Sequence, residues 1–527
     1  MATGKLVMLL HAHLPFVRNP EHERFLEENW FFEALSECYI PLLQSLYRMV
    51  ERGVKGTINL SLSPTLLQML ADPLLQKRYS KHLAELIDLA QREQRRVEHD
   101  SHKFALISYY LQRLRSTQYS WEQRYNCNLI PYFLELQDLE KLEILTCVGT
   151  HPFLPAYQAE PGVVRFQLEL TVKTAQEILG FVPKSLWLPE CGYFHGLDSI
   201  VREFGFENVF LETHGILGAK PQPPYGVFSP IRSEAGLQFL GRDQNSSREV
   251  WSRKVGYPGH PQYREFFRDL VHEAPRDFVG EYFYAGDSPI ISGFKYYRIT
   301  GSEDKEIYQP LQALQLAREH ARQFVLNREA QVQDLAPHTE IPPVVFAPYD
   351  AELFGHWWFE GPEFIEGVFE RAAWSSDIEM VGVSTVMDST PNMPEANPFL
   401  SSWGEGGYGA VWMNSQVDIN YKNFYAALAI FRMAYRKHST GGFSGLVLAQ
   451  MARELALLQS SDWAFMIHNN SAAEFARNRM DEHYQNFVQL NQLLEEDRTQ
   501  SRIFDKISAR NNAFPYMGPS IYRHLAR

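Results

Sequence analysis

SLWLPECGYF, residues 185–194, carries a short apolar run into Glu190, and PPVVFAPYDAELFG, residues 342–355, does the same for Asp350. In each, the acid stands where the run opens into a turn marked by proline and glycine: Pro189 and Gly192 around Glu190, Pro348 and Gly355 around Asp350. Two acids 160 positions apart meet only if the fold brings two strand ends to one face. Parallel βα folds do this at the C-terminal ends of their strands, where their chemistry is done.

Further short apolar runs end the same way. Leu6 to Leu10 leads to His11 and His13, Gly56 to Leu60 to Ser61 and Ser63, Ile144 to Val148 to Thr150 and His151, Val209 to Leu211 to Glu212 and His214, and Met380 to Val383 to Ser384 and Thr385. Ile290 to Phe294 is a weaker eighth run. Strands alternating with helical patterns predict βαβ units, and functional residues gathered at one end predict a closed or nearly closed α/β barrel. The barrel is expected over residues 1–399, interrupted over 73–142 by segments with apolar residues at helical spacing. Residues 400–527 read as amphipathic helices packed in a C-terminal bundle. GILGAKPQPPYGVFSP, residues 215–230, holds four prolines and three glycines without a period and predicts a long exposed loop.

Composition narrows the partner. With 527 residues, 45% hydrophobic and 21% charged, the chain is ordinary for a globular protein with a large core. Its formal charge of −13 disfavours nucleic acid or an anionic membrane as a partner, because both require a positive footprint. Ten Trp and twenty-six Tyr suit stacking on sugar rings, although packing alone accounts for most aromatics. Cys38, Cys127, Cys147 and Cys191 lack CxxC spacing and indicate neither a disulfide framework nor a thiolate zinc site. The N-terminal apolar run is too short for a secretory signal and no stretch of about 18 apolar residues exists, so a cytoplasmic protein is expected; a monomer is the favoured oligomeric state.

His11 and His13 stand at i and i+2, which on a strand share one side and so reach one ligand. A metal site would add His151 and Asp350; the other reading is neutral imidazoles hydrogen-bonded to a sugar or a carboxylate. Asp350 is followed by two adjacent tryptophans, Trp357 and Trp358, and an acid beside glycine and aromatics suits a sugar subsite.

Together these segments resemble glycoside hydrolase family 57: HAHLPF (11–16), GTINLSLSPTL (56–66), THPFLP (150–155), WLPECGY (187–193) and APYDAELFGHWW (347–358) stand in the order of that family's motifs. The resemblance implies a (β/α)7 barrel, retention of the α-anomeric configuration, no catalytic metal or organic cofactor, Glu190 as nucleophile and Asp350 as general acid/base. PPYGVFSP (223–230), the run 241–270, SSWGEGGYGAVWMN (401–414) and SDWAFMI (461–467) are most similar to 1,4-α-glucan branching enzymes within the family. That similarity implies α-1,4-glucan as both donor and acceptor. It places His11, His13 and His151 on the sugar in the cleaved subsite, Trp403 and Trp412 on an acceptor platform, Tyr225 on a covering loop, Arg264 beside Glu190, and Asp462 and His468 on the wall. The plain alternatives are packing for the two tryptophans, a surface ion pair for Arg264 and a helix cap for Asp462. VHEAP, residues 271–275, departs from the pattern by lacking an expected aromatic. An α-amylase or 4-α-glucanotransferase with the same acid pair, a metal-dependent polysaccharide deacetylase and a silent glucan-binding protein stay open as other readings.

Overall fold

The apolar runs become strands of one nine-stranded sheet. The structure is a computed structural model and describes residues 3–252, 255–496 and 498–527, so Arg253 and Lys254 of the 241–270 run lie outside the described residues. The strands are β1 (Gly4–Ala12), β2 (Ile58–Leu62), β3 (Leu142–Cys147), β4 (Ser185–Trp187), β5 (Asn208–Leu211), β6 (Ile231–Arg232), β7 (Gln238–Gly241), β10 (Val344–Asp350) and β11 (Ile378–Met380); a separate ribbon pairs β8 (Tyr284–Ala285) with β9 (Ser288–Pro289). In space the sheet runs β10-β1-β2-β3-β4-β5-β7-β6, with β11 beside the first residues of β1. Every pairing is parallel except β6 with β7. Eight parallel strands, seven in the path β10-β1-β2-β3-β4-β5-β7 and β11 beside β1, therefore make the expected α/β barrel.

Side-chain alternation divides the core in two. Val7 and Leu9 of β1, Leu145, Trp187, Phe210, Leu240, Val344 and Phe346 form a cluster inside the barrel, while Leu6, Met8 and Leu10 face the surrounding helices. The outer cluster is continuous from the strands through Tyr79 and Leu83 of the helical insertion to Leu448, Phe487 and Leu525 near the C-terminus. Asp72 and Asp100 cap the insertion's two long helices, Pro73–Arg96 and Ser101–Tyr119, each accepting two backbone N–H bonds.

The barrel closes incompletely, for a reason written in β10. Asp243 N donates to Phe346 O at 2.9 Å, joining the end of β7 to β10. Pro348, two residues on, faces the same edge without an N–H to offer, so the ladder stops there.

Two expectations are corrected. Ile290–Phe294 is not a strand: the Ser292 and Gly293 amides donate to the Asp269 carboxylate at 3.1 and 2.8 Å instead of to a ladder. The strand that completes the sheet is β7, a four-residue run hidden between turns. Residues 215–230 are also not a free loop. A helix runs Thr213–Leu217, and Lys220 exchanges backbone hydrogen bonds of 3.0 and 2.9 Å with Asn397.

The turn after β10 rests on a π-helical segment, Ala34–Tyr39. Cys38 Sγ donates to Ala351 O at 3.0 Å, the Tyr39 hydroxyl donates to Glu352, and Gly355, at φ +121°, lies so close that a Cβ would sit 1.8 Å from Glu37 O. Gly355→Ala is therefore expected to destabilise the protein by about 3 kcal/mol or more, measured by denaturant unfolding, because backbone meets backbone. An unchanged midpoint would contradict this packing.

Candidate active site

The sheet register sets the acids and histidines at one level. His11 pairs with Asp350 across β1 and β10 and with Ser61 across β1 and β2. His11 continues the interior series Val7, Leu9, and Asp350 continues Val344, Phe346, so both point into the barrel mouth. The i, i+2 pair His11 and His13 is matched by Ser61 and Ser63 on β2: Ser61 Oγ lies 3.3 Å from His11 Nδ1 and Ser63 Oγ 2.9 Å from His13 Nδ1. Ser63 also caps the helix Pro64–Leu70, which fixes its position.

His151 and Glu190 both leave their strands through left-handed backbone, at φ 60° each, and Cys191 follows at 52°. Non-glycine residues there are strained by about 1 kcal/mol or more, so surrounding contacts must hold them. They do. Trp403 N donates to Glu190 O at 2.8 Å, and Tyr193 and Ser401 exchange backbone bonds on the other side of the turn. Ser461 N donates to His151 O at 2.9 Å, strapping the second turn to the helix Ser461–His468.

Both oxygens of Glu190 are engaged. Trp403 Nε1 donates to Oε2 at 2.6 Å and Ser461 Oγ to Oε1 at 2.7 Å. Ser461 Oγ is also 2.8 Å from His151 Nδ1, and His151 Nε2 is 3.0 Å from His11 Nε2. His13 stacks on His151 with ring centroids 3.8 Å apart and meets Asp462 Oδ2 at 2.9 Å. Asp462 is no helix cap: it accepts from Ser460 and His13, and although burial opposes it, the His13 contact, His151 and the Ser460 bond hold its carboxyl down near 2.

Burial pushes Glu190 up to about 7 against the Trp403 and Ser461 hydrogen bonds. Burial and the neighbouring Glu352 push Asp350 to about 7 as well, and what opposes this is charge from Arg242 and His13 rather than hydrogen bonding. The two donors on Glu190 favour its ionised form, while Asp350 is favoured in that form by charge alone. One acid ionised and oriented beside one acid protonated is the requirement for nucleophilic attack with proton donation at a glycosidic bond.

Trp403→Phe keeps the backbone bond to Glu190 and removes the indole donor. It is expected to lower kcat about 10- to 100-fold, because hydrogen bonds to charged groups contribute about 1.5–3 kcal/mol, and to move the acid limb of the pH profile upward. A variant with wild-type kcat and limb would refute this role for the indole.

The structure thus gathers His11, His13, His151, Glu190, Asp350, Trp403 and Asp462, and not the remaining expected residues. Arg264 pairs elsewhere than with Glu190: its guanidinium donates to Glu37 at 2.8 Å and Gly293 O at 3.3 Å and lies 3.8 Å from the Phe359 ring centroid, tying the backbone at Gly293 to the π-helical segment. Trp412 is 1% exposed and stacked on Phe153, so it offers no free face, and Trp403 donates to the Glu190 carboxylate rather than standing as a platform. His468 sits half-buried, 3.4 Å from Glu405. Tyr225 is half-buried in the turn before Gly226–Phe228, and among the described residues no hydrogen bond or ring contact links its side chain to the acids. Among the described residues, the three-donor sets suited to a metal are His11 with Cys147 and His151, and His13 with His151 and Asp462; Asp350 belongs to neither.

Ser61, Ser63, Ser461 and Glu352, which accepts from His13 N at 3.2 Å, were not singled out as site residues by sequence reasoning. A signal existed for the first two, whose spacing copies that of the histidines. Ser461 had only its place beside Asp462.

The sequence description Glycosyl hydrolase family 57 matches residues 7–396, and 1,4-alpha-glucan branching enzyme, C-terminal, matches residues 425–522. A 1,4-alpha-glucan branching enzyme of Thermococcus kodakarensis is 29% identical over 519 residues, covering 92% of this chain and 73% of that protein. Among solved structures, the alpha-amylase AmyC of Thermotoga maritima superposes with a TM-score of 0.90 at 36% identity, covering 99% of both chains. A GH57-type branching enzyme of Pyrococcus horikoshii gives 0.88 at 29%, covering 99% of this chain and 97% of that one.

Proposed function

The chain belongs to glycosyl hydrolase family 57, and from that premise we propose that it is a retaining 1,4-α-glucan branching enzyme. The observation that carries the reading is the origin of the groups on the nucleophile. Ser461, which donates to Glu190, and Asp462, which binds His13, lie inside residues 425–522, the segment that matches branching enzymes specifically. The branching-type part of the chain is thus part of the catalytic centre rather than an appended module.

The chemistry follows from the two carboxyls. Glu190 attacks the anomeric carbon of an α-1,4-linked glucose, the bond from that carbon to the glycosidic oxygen breaks, and Asp350 passes its proton to the departing 4-oxygen. The product is a β-linked glycosyl ester on Glu190. Asp350, now ionised, takes the proton of an acceptor 6-hydroxyl, whose oxygen displaces Glu190 and leaves an α-1,6 branch. His11, His13 and His151 line the position of the cleaved sugar and offer it hydrogen bonds. Water must be kept from the ester for transfer to win.

Because attack requires ionised Glu190 and protonated Asp350, kcat/KM is expected to be bell-shaped with its maximum near pH 7. It falls on the acid side as Glu190 takes up a proton and on the alkaline side as Asp350 loses one, the pair titrating as a unit. Rates that do not vary between pH 5 and 9 would contradict these assignments.

The 36% identity to an alpha-amylase across almost the whole chain favours hydrolysis as the second reading. Incubation with amylose decides between them. Branching predicts new isoamylase-sensitive points with few new reducing ends; reducing ends without such points would establish an amylase. A glycogen-type glucan as the physiological substrate and action in the cytoplasm complete the proposal.

A further inference from the structure

A ring nitrogen of His11, a ring nitrogen of His151 and Cys147 Sγ all lie within 4.8 Å of one another, and the two Nε2 atoms face each other at 3.0 Å. All three side chains are buried, at 2%, 3% and 0% exposure.

The hydrogen bonds around the two rings conflict with one another. An N–H···N contact holds one proton, so one ring donates from Nε2 and the other accepts there. If His11 donates, His151 keeps its proton on Nδ1, gives it to Ser461 Oγ, and Ser461 gives its own to Glu190. But His11 Nδ1 is then bare, and Ser61 must turn its hydroxyl toward it and give up its 3.3 Å bond to Thr146 O. If His151 donates instead, Ser61 keeps that bond, while Ser461 must choose between His151 Nδ1 and Glu190. Each wiring loses a hydrogen bond at one end.

One cation on the two Nε2 atoms removes the conflict. Both rings then carry their protons on Nδ1: His11 donates to Ser61 and Ser61 to Thr146 O, while His151 donates to Ser461 and Ser461 to Glu190. A polar acceptor on the far nitrogen is the usual support of a metal-bound histidine. The dimensions fit. Zinc–nitrogen bonds of about 2.0–2.1 Å at a tetrahedral angle separate two nitrogens by about 3.3 Å, a few tenths from the present spacing, and Cys147 supplies a thiolate as third donor.

We propose that His11, Cys147 and His151 form a binding site for a borderline-soft divalent cation, zinc or cobalt(II), and that its occupation blocks glycosyl transfer by taking the imidazoles that face the sugar. On binding, the Cys147 thiol releases one proton to solvent, the two ring protons stay and change nitrogen, and water takes the fourth position. Blocking rests on the catalytic reading above; binding does not.

The test is titration of the chelator-treated full-length protein with Co2+ in the absence of glucan. The expected result is one equivalent bound, with a thiolate-to-cobalt charge-transfer band in the near ultraviolet that Zn2+ abolishes by displacement. Cys147→Ser should lose that band and bind Zn2+ at least about 10-fold more weakly. Zn2+ should inhibit the wild type reversibly and the variant less, by the factor that separates their affinities. No stoichiometric binding below about 1 mM would overturn the proposal. So would binding without a thiolate band that Asp462→Asn removes, which places the ion on His13, His151 and Asp462. Should Cys147→Ser not fold, Cys147→Ala and the wild-type band still decide. A protein that binds cobalt as described yet transfers no glucan refutes the catalytic reading alone.

Discussion

Glu190→Gln is expected to lower kcat on amylose by about four orders of magnitude or more while leaving the fold intact. The size follows from what is lost: the amide cannot form the glycosyl ester, and removing a nucleophile from a concerted site abolishes nearly all its rate enhancement. The fold should survive because the strained turn at φ 60° is held by backbone bonds, Trp403 N to Glu190 O and the Tyr193–Ser401 pair, which the substitution does not touch. One amide group replaces an oxygen that accepted a hydrogen bond from Trp403 or Ser461. Ser461 can rotate to accept from it, whereas an indole cannot, so the amide nitrogen is expected to face Ser461. The measurement pairs kcat with a thermal unfolding midpoint. A near wild-type rate with the same midpoint would move the nucleophile elsewhere.

Asp350 is predicted to give the second large effect, and one that depends on the leaving group. Asp350→Asn keeps the register with His11 and removes the exchangeable proton, so transfer from a glucan, whose alkoxide leaving group is poor, should fall by about three orders of magnitude. An α-maltosyl fluoride needs no protonation to leave. With that donor the first step should recover toward wild-type speed, the glycosyl-enzyme should accumulate for want of a base, and added azide should release it as the α-glycosyl azide. Equal loss with both donors would mean that Asp350 positions substrate rather than transferring a proton. The alkaline limb of the pH profile should vanish in the same variant, since it reports Asp350 ionisation.

How the second carboxyl is kept protonated bears on both experiments. Glu190 and Asp350 are buried and pushed to similar values near 7, so burial alone does not assign their roles. The asymmetry comes from donors: two hydrogen bonds favour the ionised form of Glu190, and both originate beyond residue 400. The C-terminal part of the chain thereby distinguishes the two carboxyls. Trp403 accordingly faces the Glu190 carboxylate instead of standing as the acceptor platform that the resemblance implied. The Arg242 guanidinium lies 5.7 Å from the Trp403 ring centroid and pairs with Glu212 at 2.9 Å, which further fixes the indole.

Much of this architecture is local and therefore legible in the chain. A strand declares itself by a short run of apolar residues, and seven such runs ending in polar residues suffice to predict a parallel barrel with its site at one end. The positions of Glu190, Asp350, His11 and His13 follow from the same pattern, because side-chain direction alternates with period two and each stands at the end of its run. β7 escaped because only two adjacent residues of it, Phe239 and Leu240, are apolar between Gln238 and Gly241, while Ile290–Phe294 looked like a strand because apolar residues crowd there for the sake of the core.

What only the tertiary structure decided is partnership. Ser461 lies 271 residues from Glu190 and Arg264 lies 227 from Glu37, and nothing in the residues near either end specifies the other. Arg264 is as able to pair with Glu190 as with Glu37 by charge alone; packing of the π-helical segment against the turn after β10 made the choice. Likewise Trp403 and Trp412 are equivalent in composition and nine residues apart, yet one donates to a carboxylate and the other is sealed against Phe153. Residue type and periodicity thus determine by themselves which groups reach the barrel mouth. Which donor faces which acceptor, and hence which acid attacks and which one carries the proton, is set by contacts whose free energy exists only once the distant segments have packed.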